Sequence, residues 1–322
     1  MKRFAALLAA GLLAGCAGVA IQPAPWTAAD PAWAPVQVET RAIGLGVPGG
    51  VRLAPGVRFA GGVEILSAPD ARTHSLSDLK QVGDDVVMVS DWGDLFRARL
   101  RLDRRGRLKS VDQWRMHPLT DDEGRPFATK SDGDAEGLAV TDDGRVLVSF
   151  ERIHRIRDYG PVDALQATPT PLAAPALEPG NAGFEGLAVA PGGWRVAAES
   201  GGVWDCVPAG CVVIAAPPAE PLPDSEYRIT GLDRDPAGDG WFVMERLFRE
   251  PADVRGRVRR MDASGRLGPV LVELSLPSTV DNFEGIAAVA ARDGTRLYIL
   301  SDDNGSARQR TLLLAFDVRS AR

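Results

Sequence analysis

Three recurrences predict an all-β fold, a β-propeller built from four-stranded antiparallel blades. First, an acid, a glycine and a short apolar run occur together as "DAEGLAV" (134–140), "GFEGLAV" (183–189) and "NFEGIAA" (282–288). Second, each run is followed by a turn and a second strand ending in another acid, and two weaker copies of this plan start at Ser77 and Thr230. Third, the starts at 77, 136, 185, 230 and 284 recur roughly every fifty residues with only β signals between them, the mark of radially repeated sheets. Counting repeats predicts five blades, or six if one has diverged beyond recognition.

The chain begins with "MKRFAALLAAGLLAGC", a basic start followed by an apolar stretch too short to span a bilayer and small residues before Cys16. Residues 1–15 read as a signal peptide. Leu13-Ala14-Gly15-Cys16 resembles the lipobox of bacterial lipoproteins, which implies a lipidated Cys16; the other reading is a plain secretory signal with an incidental cysteine. Residues 16–40 are rich in Ala and Pro and read as an extended tether, leaving 41–322 as a single folded domain. The expected location is therefore outside the cytoplasm, on a bacterial membrane facing the periplasm or the cell exterior. In such an oxidising compartment Cys206 and Cys211, in "WDCVPAGC", suggest a small disulfide-closed loop, since C-x4-C without further soft ligands is a poor zinc signature.

Within the domain, "VRFAGGVEILSA" (57–68) has no inner hairpin of its own and is expected to complete the blade begun at Glu284 and continued by "TLLLAFDV" (311–318), closing the ring between the two ends. Asp143-Gly144, Gly192-Gly193, Asp239-Gly240 and Asp293-Gly294 sit where hairpin turns require positive φ. "DRRGRL" (103–108) and "DASGRL" (262–267) read as outer hairpins. In Glu136-Gly137-Leu138-Ala139-Val140 one side carries Glu, Leu and Val and the other Gly and Ala. The small side is expected to let the next blade approach near the axis.

An antiparallel hairpin returns to the rim it left. Glu136 with Glu151, Glu185 with Glu199, and Glu284 with Asp302 should therefore gather at one mouth, each carboxylate raising the others' pKa unless a cation intervenes. That cation is either a hard divalent ion held by oxygen ligands, with Asn181, Asn282 and Asn304 adding neutral oxygens, or the chain's own Arg152 and Arg246. Arginine also grips phosphate oxygens. The plainer alternative is that these acids cap the inner hairpins, and His154 reads as a strand residue before it reads as a base. The formal charge is −6 and, without Lys2 and Arg3 of the leader, −8, which argues against nucleic acid as a partner. No G-x-S-x-G elbow, P-loop or dinucleotide fingerprint is present.

Taken together, "DAEGLAV…VSFERIHRI", "NAGFEGLAV", "VDNFEGIA" and "YILSDDNGSARQRTLLLAFDV" resemble the bacterial phytase-like family with esterase-like activity, over roughly residues 50–320. The resemblance implies a propeller whose recurrent acids support phosphoester or other ester chemistry, with Ca²⁺ bridging protein and substrate. Matched residue by residue, Asp91, Glu136, Glu185, Glu284, Asp302 and Asp303 would hold the metal. Glu151, Glu199, Arg152 and Arg246 would act on the ester. The first repeat departs from the pattern with "THSLSDL", and the fourth starts with Thr230 in place of an acid. The expected activity is hydrolysis of a small-molecule phosphate or other ester by a monomer that touches the membrane only through Cys16. The alternatives are a propeller that binds a ligand or partner without turnover, and a metal-dependent lactonase.

Overall fold

The computed structural model describes residues 33–68, 71–177, 183–250 and 252–319; the leader, Cys16 and Asn181 lie outside them. Three short strands, β1 (Ala34–Pro35), β2 (Glu39–Ile43) and β3 (Val51–Leu53), precede the long β4 (Val57–Leu66). β5 (Leu76–Val82), β6 (Asp85–Ser90), β7 (Asp94–Leu102) and β8 (Leu108–Pro118) then form an antiparallel meander. A one-turn helix, α1 (Lys130–Gly133), leads into β9 (Ala135–Val140), β10 (Arg145–Phe150), β11 (Arg155–Pro161) and β12 (Thr170–Leu172). The next meander is β13 (Phe184–Ala190), β14 (Gly193–Ala198), β15 (Val203–Val207) and β16 (Gly210–Ala215). It is followed by β17 (Arg228–Arg234), β18 (Trp241–Arg249), β19 (Asp253–Met261) and β20 (Leu267–Ser275). Last come β21 (Asn282–Ala291), β22 (Gly294–Asp302) and β23 (Thr311–Arg319), and β4 pairs with β23 as the expected closing strand.

The outer hairpins at 103–108 and 262–267 form as the sequence suggests. Asp103 accepts bonds from the backbone N–H groups of Arg105 (2.8 Å) and Arg107 (2.9 Å), and Asp262 from those of Ser264 (2.9 Å) and Arg266 (3.0 Å). Cys206 and Cys211 face each other across the β15–β16 hairpin and are disulfide-bonded. Two expectations differ. Gly240 is not at positive φ; what its position requires is a missing Cβ, which would lie 2.5 Å from the Met261 carbonyl oxygen. The fold also begins before residue 41. β1 pairs with β8, β2 with β4 and β3 with β20, because outer strands expose unpaired backbone that an extended chain can cover.

The innermost strands β5, β9, β13, β17 and β21 touch one another in chain order, and β21 returns to β5, so the ring is closed. Between neighbouring sheets lies a wedge of buried apolar side chains. Leu138 packs into the wedge shared with Val87, Val89 and Leu95, whereas its neighbour Ala139 packs into the next, with Leu187 and Trp194. At the axis, strands approach too closely for side chains. A Cβ on Gly137 would lie 2.8 Å from the Glu185 carbonyl oxygen, one on Gly231 2.3 Å from that of Glu284, and one on Gly285 2.8 Å from Asp78 Cα.

At the junction of β5 and β9 the glycine position is taken by Asp78. Its carboxylate accepts from Leu138 N (2.9 Å) in β9 and Ile286 N (3.1 Å) in β21, and pairs with Lys80 Nζ (2.7 Å), which donates in turn to the Ile286 carbonyl (2.9 Å). A fully buried carboxylate so placed bonds three inner strands together. Removing one partner of a buried, hydrogen-bonded ion pair typically costs about 3–5 kcal/mol, so Asp78→Ala should lower unfolding free energy by about that amount in urea titrations. Gly231→Ala should cost about 1–3 kcal/mol through overpacking, whereas Gly44→Ala, whose Cβ meets nothing within 4 Å and whose φ is not positive, should cost less.

Candidate functional site

The same local device recurs in every innermost strand. Ser77, Glu136, Glu185, Thr230 and Glu284 are each the extra residue of a β-bulge, skipped in the pairing with the following strand. A bulge re-aims one side chain away from the sheet face and ends the regular ladder there. The returning strands end opposite, with Asp91 N bonded to Ser75 O, Glu151 N to Asp134 O, Glu199 N to Gly183 O, and Arg246 and Asp302 paired with Arg228 and Asn282. Arg246 thus stands in the fourth repeat where the others carry a carboxylate. Its neighbour Glu245 points elsewhere and forms a two-bond pair with Arg257, both at 2.9 Å.

These positions converge. Ligand oxygens of Asp134, Glu136 and Glu151 lie within 4.8 Å of one another, as do those of Glu151, Glu185 and Glu199, with Glu151 common to both groups. Glu284 is joined to Glu199 by Arg246, which donates to Glu199 Oε1 (2.8 Å), Glu284 Oε1 (3.0 Å) and the Asn282 side-chain oxygen. Asn282 itself donates to Glu284 Oε1 (2.7 Å). Asp91 is linked to Asp134 by Lys130, whose Nζ lies 2.8 Å from a carboxylate oxygen of each. Arg152, at φ +55° and with its side chain 44 % exposed, pairs with the other Asp134 oxygen. Asp302 accepts from Asn304 N (2.6 Å).

Asp303 is committed elsewhere. It accepts from Ser75 N and Gly305 N (both 2.9 Å), Thr311 Oγ1 (2.9 Å) and His74 Nδ1 (2.7 Å), which ties the segment before β5 to the β22–β23 connection. Asn304 turns its amide to Gln309. His154 packs on Phe184, ring centroids 5.5 Å apart. Two residues of the cluster, Asp134 and Lys130, are absent from the sequence-based site. Asp134 stands two residues before a bulge acid, at the position Asn282 holds in the last repeat, and that parallel could have revealed it. Lys130 comes from an insertion without counterpart in the other repeats and carried no signal.

Burial and mutual repulsion dominate the electrostatics. Burial, and then the charges of Glu185, Glu284, Asp91 and Asp134, push Glu136 well above the usual carboxylate range. Glu185 is raised likewise by burial and by Glu199, Glu284 and Glu151, and Asp302 by burial and by Glu284 and Asp91. Burial raises Glu284 against the opposing pull of Arg246. Burial and the charge of Asp134 lift Glu151 to about 7. Asp91 also reaches about 7, burial outweighing Lys130.

Eight carboxyl groups (Asp91, Asp134, Glu136, Glu151, Glu185, Glu199, Glu284 and Asp302) thus share three cations, Lys130, Arg152 and Arg246. Asp91 Oδ1 is buried without a hydrogen bond. An all-oxygen, anionic set with an unsatisfied buried acceptor fits a hard divalent cation such as Ca²⁺.

The profile of the phytase-like family, described as esterase-like activity of phytase, matches residues 72–305. The chain belongs to this family. No curated protein matches the sequence. Among solved structures, a protein titled putative gluconolactonase is 13 % identical, covers 90 % of this phytase-like chain and 96 % of its own, and has a TM-score of 0.46. The major allergen Mala s 1 of Malassezia sympodialis is 14 % identical, with 82 % and 90 % covered and a TM-score of 0.43. The PQQ-bound aldose sugar dehydrogenase of Streptomyces coelicolor is 11 % identical, with 88 % and 100 % covered and a TM-score of 0.40. Identities this low do not speak of shared chemistry.

The raised pKa values of the phytase-like ring have a stability consequence. Unfolded Asp and Glu titrate near pH 4, so from about pH 4 to 7 the native state binds more protons and loses stability as pH rises. In chelator the urea midpoint should fall over this range. Glu185→Gln, which removes one buried carboxylate repelled by Glu199, Glu284 and Glu151, should raise neutral-pH stability and make the fall of the midpoint with pH shallower. Millimolar Ca²⁺ should flatten the slope for the parent protein. A midpoint that rises with pH in chelator would contradict this account.

Proposed function

We propose that this phytase-like chain is an exported, lipid-anchored hydrolase of phosphate or other small-molecule esters, assisted by Ca²⁺ at the acidic ring of a five-bladed propeller. The observation that carries this reading is the convergence of bulge acids from separate repeats into one buried oxygen cluster with too few cations. Family membership supports the ester chemistry, and the Cys206–Cys211 disulfide together with the lipobox-like start supports export. The five strands that close the inner ring support a count of five blades.

In this reading Glu136 and Glu185, from the two oxygen groups that Glu151 joins, would hold the ion, with Asp91, Glu284 and Asp302 beside them. When bound, the ion would polarise the ester oxygen and neutralise charge developing on it. Arg152 and Lys130, the partly exposed cations of the cluster, bind anionic oxygens of the ester. Arg246, buried and held by Glu199, Glu284 and Asn282, fixes those groups in place and does not reach outward. Glu151, poised near neutrality between the two groups of acids, takes a proton from the attacking water. Glu199 faces it and is kept in place by Arg246.

Elemental analysis of purified protein and hydrolysis of 4-nitrophenyl phosphate and 4-nitrophenyl acetate test the reading together. Chelation should abolish turnover and Ca²⁺ should restore it. Glu136→Gln and Glu185→Gln should each lose bound metal and at least a hundredfold in kcat, about 2.7 kcal/mol of barrier. Glu151→Gln should lose the rise of the rate with pH near pH 7. Turnover indifferent to chelator removes the metal, and saturable ligand binding without turnover on either ester leaves a binding propeller.

A further inference from the structure

Beside the acidic ring, the insertion 119–133 and the turn 151–155 enclose a cavity of about 590 Å³. It shares its wall with the ring. Ile153 of the cavity directly follows Arg152, which holds Asp134, and Asp132 lies between Lys130 and Asp134. The cavity has a distinctive lining. Pro126, Phe127 and Ala128 form an apolar side, and Ile153 faces it with 55 % of its surface exposed.

The charges around this apolar surface are unevenly satisfied. Asp121 and Glu123 are both bonded to Arg125 (2.9 Å each), and Asp122 forms a two-bond pair with Arg157 (2.8 and 2.9 Å). Asp132 accepts from the Thr129 hydroxyl (2.6 Å). Arg155 makes no ion pair among the described residues, and Asp122 and Asp132 act on its guanidinium only from a distance. It donates to the Ile153 carbonyl (3.1 Å) and the Asp132 carbonyl, and stacks 4.2 Å over the Phe150 ring and 5.4 Å from that of Phe127. Burial lowers its pKa, as expected of a cation removed from water without a counter-ion. Two of five N–H donors are used on carbonyls, which leaves an unneutralised, rigidly stacked fork beside apolar surface.

We propose that this cavity binds an organic anion, an aromatic or alkyl group carrying a phosphonate-, phosphate- or carboxylate-like end that Arg155 receives while Ile153 and Phe127 cover the apolar part. As a subsite for the non-reacting portion of the substrate it rests on the hydrolase reading; as a binding site it does not.

Phenylphosphonate, which has no ester bond to cleave, separates the two. Isothermal titration is run in chelator, so that no metal in the acidic ring can hold the phosphonate. The parent protein should bind, and Ile153→Asp, which sets a carboxylate beside Arg155 at an exposed position, should weaken binding at least tenfold, as should Arg155→Gln. No binding by the parent, or equal binding by Ile153→Asp, overturns the proposal. If phenylphosphonate binds as expected but neither nitrophenyl ester is hydrolysed, the cavity stands and the hydrolase reading falls. If hydrolysis occurs and Ile153→Asp leaves the KM for 4-nitrophenyl phosphate unchanged, the subsite role is overturned.

Discussion

Shortage of room at the axis governs this molecule. Inner strands meet so closely that a Cβ on Gly137 or Gly231 would strike the carbonyl of the acid on the next strand. The strands can approach only where side chains are absent, and this is why each acid is followed by a glycine in three of the repeats. The exception is informative. Asp78 occupies the glycine position of the first repeat, and its carboxylate bonds to the backbone of both neighbouring inner strands while Lys80 neutralises it. Crowding that elsewhere is relieved by a missing side chain is here converted into a buried ion pair that holds the first and last inner strands together.

The bulges are a second consequence of the same geometry. A regular strand would place the residue before each glycine against a sheet face; the extra residue turns it toward the centre instead. Because the device repeats, the carboxylates accumulate, and burial makes their company costly. The protein tolerates them by two internal means. Arg246 replaces an acid at the fourth position and joins Glu199 to Glu284, and Lys130 from outside the repeats joins Asp91 to Asp134. The remaining imbalance is concentrated where Glu136, Glu151 and Glu185 meet.

The insertion 119–133 gives the otherwise symmetric ring a direction. It brings Lys130 to one side only, and there it also walls off the Arg155 cavity. Any molecule at the ring therefore meets an acidic, oxygen-rich floor on one side and a partly apolar, cationic recess beside it. Arg152 at positive φ marks the seam between them, its side chain on Asp134 and its neighbour Ile153 in the recess.

Much of this was legible in one dimension. Repeat spacing, acid-glycine pairs and D-x-x-G-R-L turns determine the all-β repeat, the inner hairpins and the closing strand, because those features depend on contacts between residues near in sequence or on a pattern copied along it. The convergence of Glu136, Glu151 and Glu185 followed from the same periodicity. Tertiary structure alone decided which acids stay in the cluster. Asp302 and Asp303 are adjacent in sequence, yet the latter turns away to His74, Ser75 and Thr311, since alternation along a strand end sends neighbours to opposite sides. Likewise only the folded chain could show Arg246 bound inward, or Lys130 and Arg155 arriving from unrepeated segments. Their roles come from partners far away in sequence, and no local pattern encodes a distance that exists only after the ring has closed.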